Sequence, residues 1–240
     1  MHLSVIIPAY NEEKRIEKTL RLVCDYLSRQ PYDYEVIVVN DGSKDGTADA
    51  VRKTQVQFPQ IILLDNKINQ GKGGAVRDGI LKANGDLRIF MDADNSTTVE
   101  QVENFLPWVK DGYDVIIGSR RIKGAEIAIH QPWHRDFLGA IFRFVVRTIV
   151  PVDVEDSQAG FKLFTAKAAA EIFGRLTISR WAFDVEALAI AHRLGFKIKE
   201  APIVWRNYER SHVKFSGMLK MLFEILEIRL NLCKKVYNKS

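Results

Sequence analysis

Short apolar runs recur along the first half of the chain, and each stops at a polar cluster. LSVIIPAY (3–10), EVIVVND (35–41), IILLD (61–65), LRIFMDAD (87–94) and YDVIIGSR (113–120) are rich in β-branched residues and read as strands. Helix-like stretches separate them. One opens at Asn11, Glu12 and Glu13, where acidic groups suit a helix N-terminus. Others follow the tight turn GSKDGT (42–47), run through GKGGAVRDGILKA (71–83), and span 98–110. Strands alternating with single helices predict an α/β fold, with a mostly parallel central sheet flanked by helices. In such sheets ligands lie beyond the carboxyl ends of the strands. The polar residues collect there: Tyr10 and Glu12, Asp41, Asp92 and Asp94, then Ser119 and Arg120.

The second half is less regular. WHRDFLGAIFRFVVRTIV (133–150) reads as a helix, DSQAGFKLF (156–164) as a turn into a strand, and WAFDVEALAIAHRLG (181–195) as a helix stopped by Gly195. KIKEAPIVW (197–205) is a late strand, and a final helix covers about 216–235. No repeat, low-complexity tract or Pro/Gly-rich linker interrupts the chain, so one continuous domain is expected over 1–240.

Charge and cysteine content narrow the picture a little. Among 240 residues, 35 Lys and Arg stand against 30 Asp and Glu, a net charge of +5 that suits an anionic partner without choosing one. Cys24 and Cys233 lie far apart, which suggests neither a zinc site nor a disulfide framework and leaves a reducing, cytoplasmic side as the default. The first residues carry no pattern of a secretory signal, and no apolar run is long enough for a membrane span. No basic stripe with interleaved aromatics marks a nucleic-acid partner.

The candidate chemistry centres on Asp92-Ala93-Asp94. Two carboxylates at a strand end repel unless a cation is shared between them, and a turn there lets both reach one ion. A hard cation such as Mg²⁺ or Mn²⁺ takes oxygen ligands and completes its shell with water and a substrate's phosphates, which makes a nucleotide diphosphate the natural third party. A pair of solvated or helix-capping aspartates is the plainer alternative. Asp41, before Gly42, suits either a base or ribose contact or an Asx-type turn. GKGGA (71–75) offers backbone N–H groups, Lys72 and then Arg77 at a helix start, suitable for an anion. Neither GxxxxGK[ST] nor an early GxGxxG is present, which argues against P-loop NTPases and nicotinamide-dependent dehydrogenases.

In order and spacing, VIIPAYNEE, VNDGS.DGT, N.GKGGAVR.G, DADN and GSR resemble the family 2 glycosyltransferases of GT-A fold. DSQAGFKLF, RWAFDVE and a strand ending in Trp are similar to the polyprenyl-phosphate sugar transferases, dolichyl-phosphate β-glucosyltransferases above all. The resemblance implies a nucleotide-binding half (1–125), an acceptor half (126–215) and a C-terminal amphipathic helix (216–240). It places Pro8, Ala9, Tyr10, Glu12, Asp41, Gly42, Lys72, Asp92, Ala93 and Lys214 around the nucleotide, and Asp92 and Asp94 on the metal. Arg120, Arg135 and Asp156 would serve the reaction, with Gln158, Trp181 and Asp184 near the sugar or acceptor. Ser211 and Lys214 flank His212-Val213, where family members often have Ser and Lys adjacent, and the membrane anchor that begins the eukaryotic glucosyltransferases is absent from this sequence.

Two apolar, cation-bearing helices suit a lipid phosphate acceptor. Arg135, Arg143 and Arg147 alternate with Phe137, Leu138, Ile141, Phe142, Phe144 and Val145, and the last helix carries Leu219, Leu222, Phe223, Leu226 and Leu230 before Lys234-Lys235. Ordinary packing against the sheet explains each helix equally well. The expected activity is inverting transfer of a hexose, glucose from UDP-glucose, to a polyprenyl or dolichyl phosphate, by a protein peripheral to the cytoplasmic face of a membrane. GDP-mannose as donor, another saccharide acceptor, or a non-catalytic nucleotide-sugar-binding protein are the rival readings. Homo-oligomerisation and a separate anchoring subunit stay open.

Overall fold

The computed structural model describes residues 1–129, 143–206 and 215–238. The strands are β1 (His2–Ala9), β2 (Asp33–Asp41), β3 (Ile61–Asn66), β4 (Leu87–Met91), β5 (Val115–Ser119), β6 (Glu126–Ile129), β7 (Phe161–Thr165), β8 (Ile198–Pro202) and β9 (Val204–Arg206). The helices are α1 (Ile16–Leu27), α2 (Thr47–Gln55), α3 (Lys72–Lys82), α4 (Leu106–Lys110), α5 (143–149), α6 (Ala166–Phe173), α7 (Phe183–Arg193) and α8 (Phe215–Cys233).

A seven-stranded sheet runs in the order β3-β2-β1-β4-β7-β5-β8, beside a two-stranded β6-β9 ribbon. Its pairs are parallel except where β7 runs antiparallel between β4 and β5. Strand order reverses beside β1, so the crevice at the carboxyl ends of β1 and β4 is a topological switch point. Each face of the sheet buries its own apolar cluster. Ile6, Ile37, Val39, Phe90 and Ile117 point to one side, and Leu3, Val5, Val36, Ile89 and Ile116 to the other. The helices cover those faces with apolar residues three and four apart, as Ile16, Leu20, Val23 and Leu27 do on α1.

Several elements differ from the sequence expectation. Residues 11–15 form a turn rather than the start of α1: Asn11 adopts φ +56° and its side chain accepts from the Lys44 N–H, tying the turn to the loop after β2. The expected helix over 98–110 is a 3₁₀ turn (Val99–Asn104) followed by α4, which starts afresh at Leu106-Pro107 because proline fits only a first turn. The late strand divides at Ile203, giving β8 to the large sheet and β9 to the ribbon. Helix α6 was not expected; Thr165 caps it by accepting from the Ala168 N–H.

Candidate active site

Beyond Met91 the chain turns at once. The Asp92 carbonyl accepts from the Asn95 N–H, Asn95 takes φ +56°, and the Asp94 carboxylate accepts from the Ser96 N–H at 2.9 Å. The Thr19 hydroxyl holds the Ala93 carbonyl at 2.8 Å, and the Arg206 N–H bonds the Ser96 carbonyl. Asp92, Asp94, Ser96, Thr97, Arg120, Gln158, Gly160 and Trp205 border a small cleft of about 100 Å³. A wider cleft opens on the other side of Asp94, with Arg15, Lys18 and Arg206 on its walls.

Asp92 is braced from two directions. Lys72, the first residue of α3, places its Nζ 2.6 Å from Asp92 Oδ1. Gly160 lies so close that a Cβ there would sit 2.1 Å from Asp92 Oδ2, so a glycine is needed for the 156–160 loop to pass. Burial works against the Lys72 charge, but Asp92 and Asp184 outweigh it and hold the ammonium above its usual pKa.

Arg120, just past β5, grips Asp156 with Nε at 2.7 Å and Nη2 at 2.8 Å, and its backbone N–H adds a third bond. Asp156 is almost fully buried, which opposes its charge, yet the Arg120 hydrogen bonds win and hold the carboxyl below the usual range. Both oxygens of this carboxylate are therefore engaged, and it serves Arg120 rather than waiting as a proton acceptor. The guanidinium also lies 5.2 Å from the Trp205 ring centroid.

Beneath the cleft floor lies a pair the sequence reading did not single out. Lys162, fully buried as the second residue of β7, bonds Asp184 at 2.5 Å and the Ala159 carbonyl, and sits 5.3 Å from the Phe90 ring centroid. The available signal was a lysine inside the apolar run GFKLF. Burial pushes the Lys162 pKa down and the Asp184 pKa up, each opposed by the other's charge.

Several expected contacts take another form. Asp184 sits behind the floor, 5% exposed, and is used up by Lys162 instead of facing a sugar. Asp41 ends β2 as expected, but its two oxygens accept from the Gln70 and Gly71 N–H groups at 2.7 and 2.9 Å, so it shapes the approach to α3 rather than offering a free carboxylate. It forms no Asx turn with Gly42, which adopts φ +67° and packs against Asn69. The N–H groups of Gly73 and Gly74 are not open to an anion: they bond the carbonyls of Arg180 and Ser179. Glu12 pairs with Arg15, and the exposed Arg147 with the exposed Glu155. Ala9 is buried at the end of β1, Pro8 is half-buried and Tyr10 is exposed at the rim. Trp181 packs half-buried at the N-terminus of α7, and Gln158 donates to the Met221 sulfur. Arg135 and Lys214 lie outside the described residues, as does the stretch 133–142 of the proposed basic helix.

The sequence model of the family described as glycosyl transferase family 2 matches residues 4–173. The chain belongs to family 2 of the glycosyltransferases. Within it, the chain is 39% identical over 243 aligned residues to the dolichyl-phosphate beta-glucosyltransferase of Mus musculus, covering 95% of this chain and 75% of the relative. The enzyme of the same name from Homo sapiens is 37% identical over the same shares. Among solved structures, a Pyrobaculum calidifontis mannosyltransferase in complex with GDP-Man and Mn²⁺ superposes with a TM-score of 0.62 at 20% identity, over 97% of this chain and 64% of that one. Glucosyl-3-phosphoglycerate synthase from Mycobacterium tuberculosis, with Mn²⁺, UDP-glucose and phosphoglyceric acid, gives 0.64 at 17% identity, over 97% and 80%. These neighbours establish the GT-A fold expected from the sequence.

Proposed function

We propose that this family 2 glycosyltransferase moves glucose from UDP-glucose onto a dolichyl-type polyprenyl phosphate, at the cytoplasmic face of a membrane. The similarity to glucosyltransferases of that name over nearly the whole chain carries the reading. In it, residues 1–125 hold the nucleotide and 126–215 receive the acceptor. Among the described residues no helix is long and apolar enough to cross a membrane.

The donor set fits a divalent cation. Asp92 and Asp94 present hard oxygens from one turn, and among the described residues no group of three His, Cys, Asp or Glu forms an all-protein cage. That suits an Mg²⁺ or Mn²⁺ whose shell is completed by water and diphosphate, and which neutralises the leaving group. Lys72 already supplies a cation to Asp92 and is the residue placed to turn toward the diphosphate instead.

A phosphate monoester with a second pKa near about 6 is largely dianionic at neutral pH, so its own oxygen is a competent nucleophile and no protein base is required. That oxygen bonds the anomeric carbon as the carbon–oxygen bond to the diphosphate breaks on the opposite side, its electron pair leaving with the diphosphate, and configuration inverts. Arg120, oriented by Asp156, is placed to offset phosphate charge beside the cleft.

The decisive assay compares nucleotide release from UDP-glucose and GDP-mannose, with Mn²⁺, in the presence and absence of polyprenyl phosphate. Lipid-dependent UDP release is expected; lipid-dependent GDP release would transfer the chain to the mannose branch. Asp94→Ala should abolish turnover, and near-normal activity of that variant in excess Mn²⁺ would remove the metal from the mechanism.

A further inference from the structure

Helix α8 carries two apolar stripes on opposite sides. Met221, Ile225 and Ile228 are buried and join the cluster beneath the sheet. Phe223, Leu226 and Leu230 are 72%, 49% and 57% exposed. At about 100° per residue, these three lie roughly opposite the buried three. Packing against the core therefore does not account for the outer stripe, although the sequence alone left that explanation open. Among the described residues beyond 129, the exposed large apolar side chains all fall on α8 and on α5, where Phe144 is 72% exposed. Around the outer stripe and the helix end, Lys220, Arg229, Lys234 and Lys235 are exposed beside one exposed acid, Glu227.

The inner side of α8 reaches the candidate site. Met221 Sδ accepts from Gln158, which borders the cleft, and the Glu224 carboxylate accepts from the Ala182 N–H at 2.8 Å, at the N-terminus of α7. One rigid helix thus joins the outer stripe to both the 156–160 loop and the segment around Trp181.

We propose that Phe223, Leu226 and Leu230, ringed by these cations, dock α8 on an anionic lipid bilayer and seat the cleft against its surface. Apolar side chains enter the headgroup boundary while lysine and arginine meet lipid phosphates, a pairing that neither a neutral surface nor a basic partner reproduces. The choice of a bilayer as occupant rests on the lipid-phosphate reading above; the stripe itself does not.

The test uses the 240-residue chain and vesicles of phosphatidylcholine with or without phosphatidylglycerol, containing no polyprenyl phosphate. Sedimentation should show binding to the anionic vesicles that weakens with salt. Phe223→Ser/Leu226→Ser/Leu230→Ser should lower the partition coefficient at least about tenfold with an unchanged melting temperature, since these side chains leave the core intact. If the triple variant misfolds, Phe223→Ser alone should lower it about threefold. Equal binding by parent and variant, or no binding by the parent, overturns the proposal. So does a dimer that the substitutions convert to monomer without changing vesicle binding, because a second copy would then cover the stripe. Stripe-dependent vesicle binding without nucleotide release in the transfer assay overturns the glucosyltransferase reading and leaves docking intact. Release with a soluble short-chain polyprenyl phosphate, without vesicle binding, does the reverse.

Discussion

The candidate site contains two lysine–aspartate pairs with the same chemistry and nearly the same separation, 2.6 Å for Lys72–Asp92 and 2.5 Å for Lys162–Asp184. Their surroundings differ. The side chains of the first pair are 22% and 38% exposed, and those of the second 0% and 6%. Water can take over either partner of the rim pair, so that contact is exchangeable when a more highly charged ligand arrives. The floor pair has no such substitute and holds the strand and loop that carry the rim. Exposure, more than partner or distance, separates the contact suited to ligand exchange from the one that maintains the site.

Breaking the floor should cost most. Lys162→Met leaves the Asp184 carboxylate buried and unpaired, with an expected loss of about 3–5 kcal/mol in denaturant unfolding. Lys162→Met/Asp184→Leu should recover most of it; a double variant as unstable as the single one would mean that the pair is not what Lys162 provides.

Arg120→Ala should follow, costing about 3 kcal/mol at neutral pH because Asp156 also loses its counter-charge in a buried position. The pH dependence has a definite sign. A carboxyl held below its unfolded pKa contributes stability in full above that value, near about 4, and loses it as pH falls through the lower folded value. The gap between parent and Arg120→Ala should therefore narrow in acid, and urea unfolding at pH 7 and pH 3 would reveal a gap that stayed constant.

Gly160→Ala pushes a methyl against Asp92 and should cost about 1–3 kcal/mol by overpacking while weakening nucleotide binding. Thermal melts with and without UDP separate the two effects. The smallest stability change belongs to the rim. Lys72→Ala should alter unfolding by less than about 1 kcal/mol, yet reduce nucleoside diphosphate affinity about tenfold in calorimetry. A large loss of stability from Lys72→Ala would erase the distinction between rim and floor.

The strands and the polar residues at their ends were legible because period-two burial and abrupt polarity are local signals, as at LRIFMDAD. The DxD turn, the Arg120 position and the 156–160 loop follow from them. What stayed hidden was partnership across the sheet. No local pattern says that Asp41 spends its oxygens on Gln70 and Gly71, or that Gly73 and Gly74 bond residues 179–180. The family resemblance placed Asp184 near the sugar or acceptor, and nothing local to RWAFDVE says that Lys162, 22 positions earlier, pairs with it in the fold. The α8 stripe was visible as spacing, but its outward direction depends on which neighbouring residues the core accepts.

The placement of β7 also bears on how the protein is made. A nascent chain that has emerged only to residue 125 carries β4 and β5 but not the strand that joins them, so each presents an open edge until Phe161–Thr165 follows. Completion of the sheet must wait for distant sequence, a non-local step that slows folding and lengthens the time during which those edges can pair with other chains. During synthesis, β7 works as a late clasp, translated only after β1 to β6 have been made.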